Sequence, residues 1–300
     1  MDKRFKLQFY AANDGELLRD AIGKFGISKR GLTSIKYRGG AILVNEEERT
    51  VRHVLKKGDV ITILFPPEEL SEGLIVEHKD LPILYEDESF LILDKPPFMN
   101  TIPSRENPTG SLANYIGGYF EKQGIHSTVH IVTRLDRDTS GVVCIAKHSH
   151  IHHLMGLQQK RGLLNKQYEA IVHGHVTEDD QAIIAPIGRK DTSIIEREVR
   201  PDGQYSHTDV TVLKRGHTKD MQPITQVRLK LHTGRTHQIR VHMAHIGHPL
   251  VGDELYGGSR ELFDRQALHC VLLEIIHPLT SQKLQFTSDV LEPMRNLINN

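Results

Sequence analysis

From residue 81 onward the chain is a succession of short apolar, β-branched runs broken by turn residues, and helical periodicity is rare. The runs fall at 83–85, 90–93, 129–133, 142–146, 168–172, 208–213, 227–231, 268–276 and 284–286. Segments of that length bounded by turn signals read as strands. Only 150–160 and 237–246 repeat their apolar residues at helical spacing. Strands without a regular βαβ alternation argue against a doubly wound parallel sheet. They predict an α+β fold around a mixed, largely antiparallel sheet.

The first 67 residues have a different texture and predict a small α+β unit. Leu17, Leu18, Ala21, Ile22 and Phe25 follow Asp14 at helical spacing, with Asp14 as the expected N-cap and Gly26 as the stop. Ser28-Lys29-Arg30 opens a second helical segment, and 41–44 and 60–65 read as strands around a Lys57-Gly58-Asp59 turn. Pro66-Pro67 and the acids after it mark an expected linker over 68–80, leaving 81–300 as the larger domain. Charge follows the same division. Residues 1–67 carry 13 Lys/Arg against 8 Asp/Glu, whereas 68–94 carry 1 Lys against 9 acids, within a net charge of zero. A basic block suits a polyanion, and an acidic stretch would lie away from one. Solvated surface charge accounts for the pattern equally well.

Other classes fall away on composition. At 38% hydrophobic and 25% charged residues the chain is globular in type. Cys144 and Cys270 cannot build a disulfide framework or a zinc quartet, which suits a reducing compartment. No apolar run is long enough to span a bilayer, and the N-terminus lacks a signal-peptide apolar region. A cytoplasmic protein is expected, with no membrane partner and monomer as the default. No GxGxxG or GxxxxGK[ST] is present, which argues against those nucleotide sites.

Three segments carry chemistry. Thr133-Arg134-Leu135-Asp136-Arg137-Asp138-Thr139-Ser140-Gly141 is a polar loop between two apolar strands, where catalytic groups are commonly mounted. In an extended stretch Arg134 and Asp136 share one side and Leu135 takes the other. The hydroxyls after them could fix the Asp136 backbone. On its own, Arg-Leu-Asp is also what an ordinary charged turn looks like. Tyr168 opens a strand after Lys160, Arg161 and Lys166; it could stack on a base or fill the core. In Thr233-Gly234-Arg235-Thr236-His237-Gln238-Ile239-Arg240-Val241-His242, Thr236 is a candidate cap. Ile239, Met243 and Ile246 form a core stripe, and Arg240 lies about 100° off it. Arg235 and the helix N-terminus suit a phosphate or carboxylate. His237, His242, His245 and His248 lack HExxH spacing and a nearby cysteine, so no metal is expected.

These blocks, in this order, resemble the RluA/RluD-type pseudouridine synthases. They run from Tyr85-Glu86-Asp87 and Leu93-Asp94-Lys95-Pro96-Pro97 through Arg134-Leu135-Asp136 and Lys166-Gln167-Tyr168-Glu169-Ala170 to Thr233–His242, Gly247-His248-Pro249, Gly252-Asp253 and Tyr256-Gly257. Residues 13–65 are similar to the small RNA-binding domain first named from ribosomal protein S-four, through Ser28-Lys29-Arg30, Val44-Asn45 and Leu55–Ile61. Thr133 stands where many members have His, and Pro96-Pro97-Phe98 where Pro-Ala-Gly is commoner.

The resemblance implies conversion of uridine to pseudouridine within RNA, without a cofactor. Ribosomal large-subunit RNA is the expected substrate and transfer RNA the other candidate. By family position Asp136 is the catalytic carboxylate, attacking the sugar or abstracting a sugar proton. Arg240 is its ion-pair partner, and Tyr168 stacks on the uracil. Arg134 fills the gap left by a flipped nucleotide. Arg235, Lys29 and Arg30 are the remaining expected RNA contacts. Two other readings are an inactive RNA-binding chaperone of ribosome assembly and a hydrolase pairing Asp136 with Asp138.

Overall fold

The computed structural model describes residues 4–298. The N-terminal part is a four-stranded antiparallel sheet in the order β1-β4-β2-β3, formed by β1 (Lys6–Tyr10), β2 (Ala41–Val44), β3 (Glu47–Glu48) and β4 (Val60–Leu64). Helices α1 (Leu18–Lys24) and α2 (Lys29–Tyr37) connect β1 to β2. Leu18, Ile22, Ile35, Leu55, Ile61 and Ile63 fill a core of its own. Ser28 caps α2 by accepting from the Gly31 amide. Asp14 does not cap α1. Its carboxylate is taken by the Lys57 amide across the unit, and Leu17 holds the cap position without a side-chain bond.

The larger part is built on a ten-stranded sheet. Its strands are β5 (Ile83–Glu86), β6 (Phe90–Lys95), β7 (His130–Ile131), β8 (Ser140–Ala146), β9 (Asn165–His173), β10 (Asp180–Ile184), β13 (His207–His217), β14 (Pro223–Leu231), β15 (Leu268–Ile276) and β16 (Lys283–Thr287). A two-stranded hairpin, β11 (Ile187–Arg189) with β12 (Arg197–Val199), stands apart. The main order is β10-β13-β14-β9-β15-β8-β6-β5, with β7 on β8 and β16 on β15. All these pairings are antiparallel except β8 with β15, so the sheet is mixed and largely antiparallel, as the sequence predicts. At that one parallel junction Gly141, at φ +112°, lies so close to Cys270 that a Cβ would sit 2.3 Å from its carbonyl oxygen. Only glycine closes the sheet there.

Helices α3 (Leu112–Gln123), α4 (Ser149–Lys160), α5 (Gln238–His245) and α6 (Glu292–Arg295) complete this part. The sequence reading missed α3, whose capping box is formed by Ser111 and Asn114. It also missed β1 and β10–β12. The acidic segment 68–80 is not a free tether. It lies along α3, where the Glu77 carbonyl would stand 2.2 Å from a Cβ on Gly118. The Asn114 amide donates to the Ile75 carbonyl, and Glu68 joins His130, His148 and the first amide of α4. Phe5 stacks on His148 at 4.6 Å and Phe65 on His150 at 5.0 Å, so aromatic rings join the two cores. Among the described residues no helix is long and apolar enough to cross a membrane.

Candidate active site

A cleft of about 560 Å³ opens where the 133–139 loop, β9 and the N-terminal end of α5 meet. Its floor is a rigidly held loop. Alternation works as expected: Leu135 is buried, while Arg134 is exposed and Asp136 reaches the cleft. The predicted hydroxyl anchors act differently. Thr139 accepts from Gln266, and Ser140 bonds His269. The loop is instead gripped from the other side of the chain. Thr101 Oγ1 donates to the Leu135 carbonyl and accepts from its amide, at 2.7 and 3.2 Å. Arg265 donates to the Asp138 carbonyl. Lys95, fully buried, donates to the carbonyls of Pro96, Met99 and Arg137 at 2.8–3.0 Å. Burial pushes its ammonium down to about 7, with Asp138 and Asp136 opposing the shift.

Asp136 and Arg240, 104 positions apart, meet at 3.1 Å between Oδ2 and Nη1. The expected ion pair is therefore formed, but it is the weaker half of a triad. Arg240 Nε and Nη2 clasp both oxygens of Asp253 at 2.7 and 2.8 Å. Asp253 is 2% exposed, and the guanidinium also stands 5.0 Å over the Tyr256 ring. Asp253 thus aims Arg240 and leaves Nη1 free to reach Asp136, a bidentate geometry that lysine cannot copy.

His237 was not expected to bind a metal. It begins α5 in the left-handed region at φ +57°, a conformation that non-glycine residues adopt mostly under structural constraint. Thr236 does not cap the helix, and no side chain does. Gln238 locks the turn instead, accepting from Thr233 and the Arg235 amide and donating to His207 and Thr208. Tyr256 Oη accepts from the Arg197 amide and pairs with His237 Nδ1 at 2.8 Å. The other ring nitrogen, Nε2, lies 3.8 Å from Asp136. Burial pushes the His237 pKa down, with Asp136 opposing the shift, so the neutral imidazole is favoured.

Tyr168 is 4% exposed and forms a wall of the cleft. Burial raises its hydroxyl well above the usual range, and the neighbouring Cys270 and Asp136 add to the shift. Arg134 and Arg235 line the cleft, the latter donating to the Tyr205 carbonyl. Lys29 and Arg30 are exposed on α2 and are not among the cleft residues. Asp138 also lines the cleft; its buried Oδ1 has no hydrogen-bond partner and lies 3.7 Å from Arg137 Nε. The four histidines do not gather either. His242 bonds Thr208 and the Ala185 carbonyl, and His248 the His173 carbonyl. Among the described residues, the grouping with metal-ligand spacing is His207, Asp209 and His232, where Asp209 already pairs with both rings.

The family description that matches residues 89–245 is RNA pseudouridylate synthase. The chain belongs to that family. It is 48% identical over 281 residues to the Bacillus subtilis protein named Uncharacterized RNA pseudouridine synthase YjbO, covering 94% of this chain and 98% of that one. Ribosomal large subunit pseudouridine synthase D of Escherichia coli is 35% identical over 246 residues, 77% of this chain and 74% of the relative. The solved structure of human RNA pseudouridylate synthase domain containing 1 matches at 26% identity and a TM-score of 0.58, covering 74% and 86%. This pseudouridine synthase is an isomerase acting on uridine in RNA, so the hydrolase and inactive-chaperone readings fall away.

Proposed function

We propose that this pseudouridine synthase acts on ribosomal large-subunit RNA, with Asp136 as its catalytic group. The observation that carries the reading is a carboxylate open to the cleft, fixed by a buried guanidinium and walled by a buried tyrosine. The chemistry balances within the substrate. The N1–C1′ bond of uridine breaks, the ring turns, C5 bonds to C1′, and the C5 proton leaves while N1 gains one. An ionised carboxylate is the group that can attack C1′ or take a sugar proton, and Arg240 Nη1 donates to Asp136 at 3.1 Å, fixing where it points. Tyr168 stacks on the uracil. Its raised hydroxyl pKa suits a neutral ring and makes it a poor base for the C5 proton. Arg134, exposed at the cleft, occupies the space left by the extruded nucleotide, and Arg235 contacts the backbone. Residues 1–67 add RNA affinity through Lys29 and Arg30, 68–80 connect, and 81–300 catalyse. A ribosomal RNA substrate would be met in the cytoplasm, the location this reading implies.

The experiment is to map pseudouridines across total RNA from cells with and without this gene. One or more large-subunit sites should vanish in the deletion and return with the gene but not with its Asp136→Asn form. Loss confined to transfer RNA would refute the substrate reading and leave the chemistry intact.

A further inference from the structure

In the cleft Asp136 meets Arg240 and His237. Its lining also carries Arg134, Gln159 and Lys166. Lys166 stands on β9 two residues before Tyr168, on the same face, about 6–7 Å along the strand. A methyl group placed on Gly234 would lie 3.7 Å from both Lys166 Nζ and Gln159 Nε2, so the ammonium and the amide converge on one spot. Neither Lys166 nor Arg134 has a hydrogen-bond acceptor or an acidic partner among the described residues. Burial lowers the pKa of the Lys166 ammonium; the Cys270 thiol opposes this and the Arg134 guanidinium adds to it.

A half-buried cation beside a second cation, with no acid to neutralise either, is costly until an anion arrives. RNA brings such an anion with every nucleotide. We propose that Lys166, with Gln159 beside it, holds a phosphodiester of the target strand next to the nucleotide whose base lies on Tyr168. The inference rests on the RNA reading and extends it: the cleft grips the strand at a phosphate as well as at the base. Lys166 is a binding residue and takes no part in bond making.

The test is fluorescence anisotropy of the full chain with a short fluorescein-labelled oligouridine over a salt series. Lys166→Met keeps the side-chain length and removes the charge, and Lys166→Gln is a second neutral form should the first fold poorly. Losing one charge-assisted contact should weaken binding roughly tenfold at low salt. The slope of log affinity against log salt should become shallower by about 0.7, the value for one phosphate on a single strand. Lys166→Arg should restore the slope. A neutral variant with the wild-type slope, whatever its affinity, overturns the proposal, because a lysine that contacts the base or only supports the fold releases no counterion. A wild-type chain that does not bind oligouridine counts against the RNA reading itself, and the inference goes with it.

Discussion

Replacing Arg240 by Met should damage the enzyme in two separable ways. The guanidinium makes three charge-assisted bonds, two to Asp253 and one to Asp136. The Asp253 side chain is 1% exposed, so without Arg240 it becomes a buried, uncompensated carboxylate. Breaking such a pair from one side costs about 3–5 kcal/mol. The Asp136 side chain is 29% exposed to the cleft, where water can replace the lost bond, so its share should be about 1 kcal/mol or less. The stability loss therefore belongs mainly to Asp253 and the activity loss to Asp136. Adding Asp253→Asn to Arg240→Met removes the orphaned charge and should return the protein to within about 2 kcal/mol of wild type. Activity should not return. The assay is urea unfolding beside release of tritium from C5 of labelled uridine in the RNA, the hydrogen that the reaction displaces. Recovery of activity together with stability in the double variant would refute a direct role for Arg240. Equal stability of Arg240→Met and wild type would refute the reasoning about Asp253. Arg240→Lys should be intermediate in both, since an ammonium cannot form the fork.

Asp136→Asn should abolish tritium release while urea unfolding stays within about 1 kcal/mol of wild type, because Arg240 keeps its bonds to Asp253; more than trace turnover would mean another group does the chemistry. Lys29→Gln with Arg30→Gln should flatten the salt dependence of RNA binding without changing the single-turnover rate at saturating RNA, and an unchanged slope would show that α2 does not touch RNA. Stability should fall as pH drops from 6.5 to about 4. Burial holds both His148 and His150 down to about 4 from 6.5, so the unfolded chain binds protons that the folded chain refuses. Each shift is worth up to about 3 kcal/mol, fully present as stability above pH 6.5 and lost towards pH 4. Urea midpoints over that range should show the slope in wild type and a flatter one in His148→Gln/His150→Gln; an equal slope in both would place the titration elsewhere.

The chemistry-bearing blocks were legible because each is local. Arg134, Leu135 and Asp136 alternate on one short segment, and α5 carries Ile239, Met243 and Arg240 at fixed angles, so the side on which each residue stands follows from backbone geometry. What holds those blocks was not legible. Asp14 has the chemistry of a cap, but the Lys57 amide lies 43 positions away and claims its carboxylate. Thr139 and Ser140 could have fixed the loop, yet Thr101 and Lys95 reach it from a distant stretch. His237 gives no strong local sign, because its partners Tyr256 and Asp136 lie 19 and 101 positions away. Asp253 sits in a recognisable block, but only the fold shows that it aims Arg240.

The sequence by itself determined the strand-rich α+β class, the division into a small N-terminal unit and a larger part, and the family to which the chain belongs. Apolar alternation is a property of neighbouring residues and survives without any knowledge of the fold. Tertiary structure decided the rest, because it depends on contacts between distant positions. Helix α3 was hidden by Gly117 and Gly118, poor helix formers read locally. Gly118 is required because the Glu77 backbone passes too close for a side chain there. In the same way Lys95, at the end of β6, becomes the fully buried clamp of the Asp136 loop only when the distant Arg137 carbonyl joins the nearby carbonyls of Pro96 and Met99 around it.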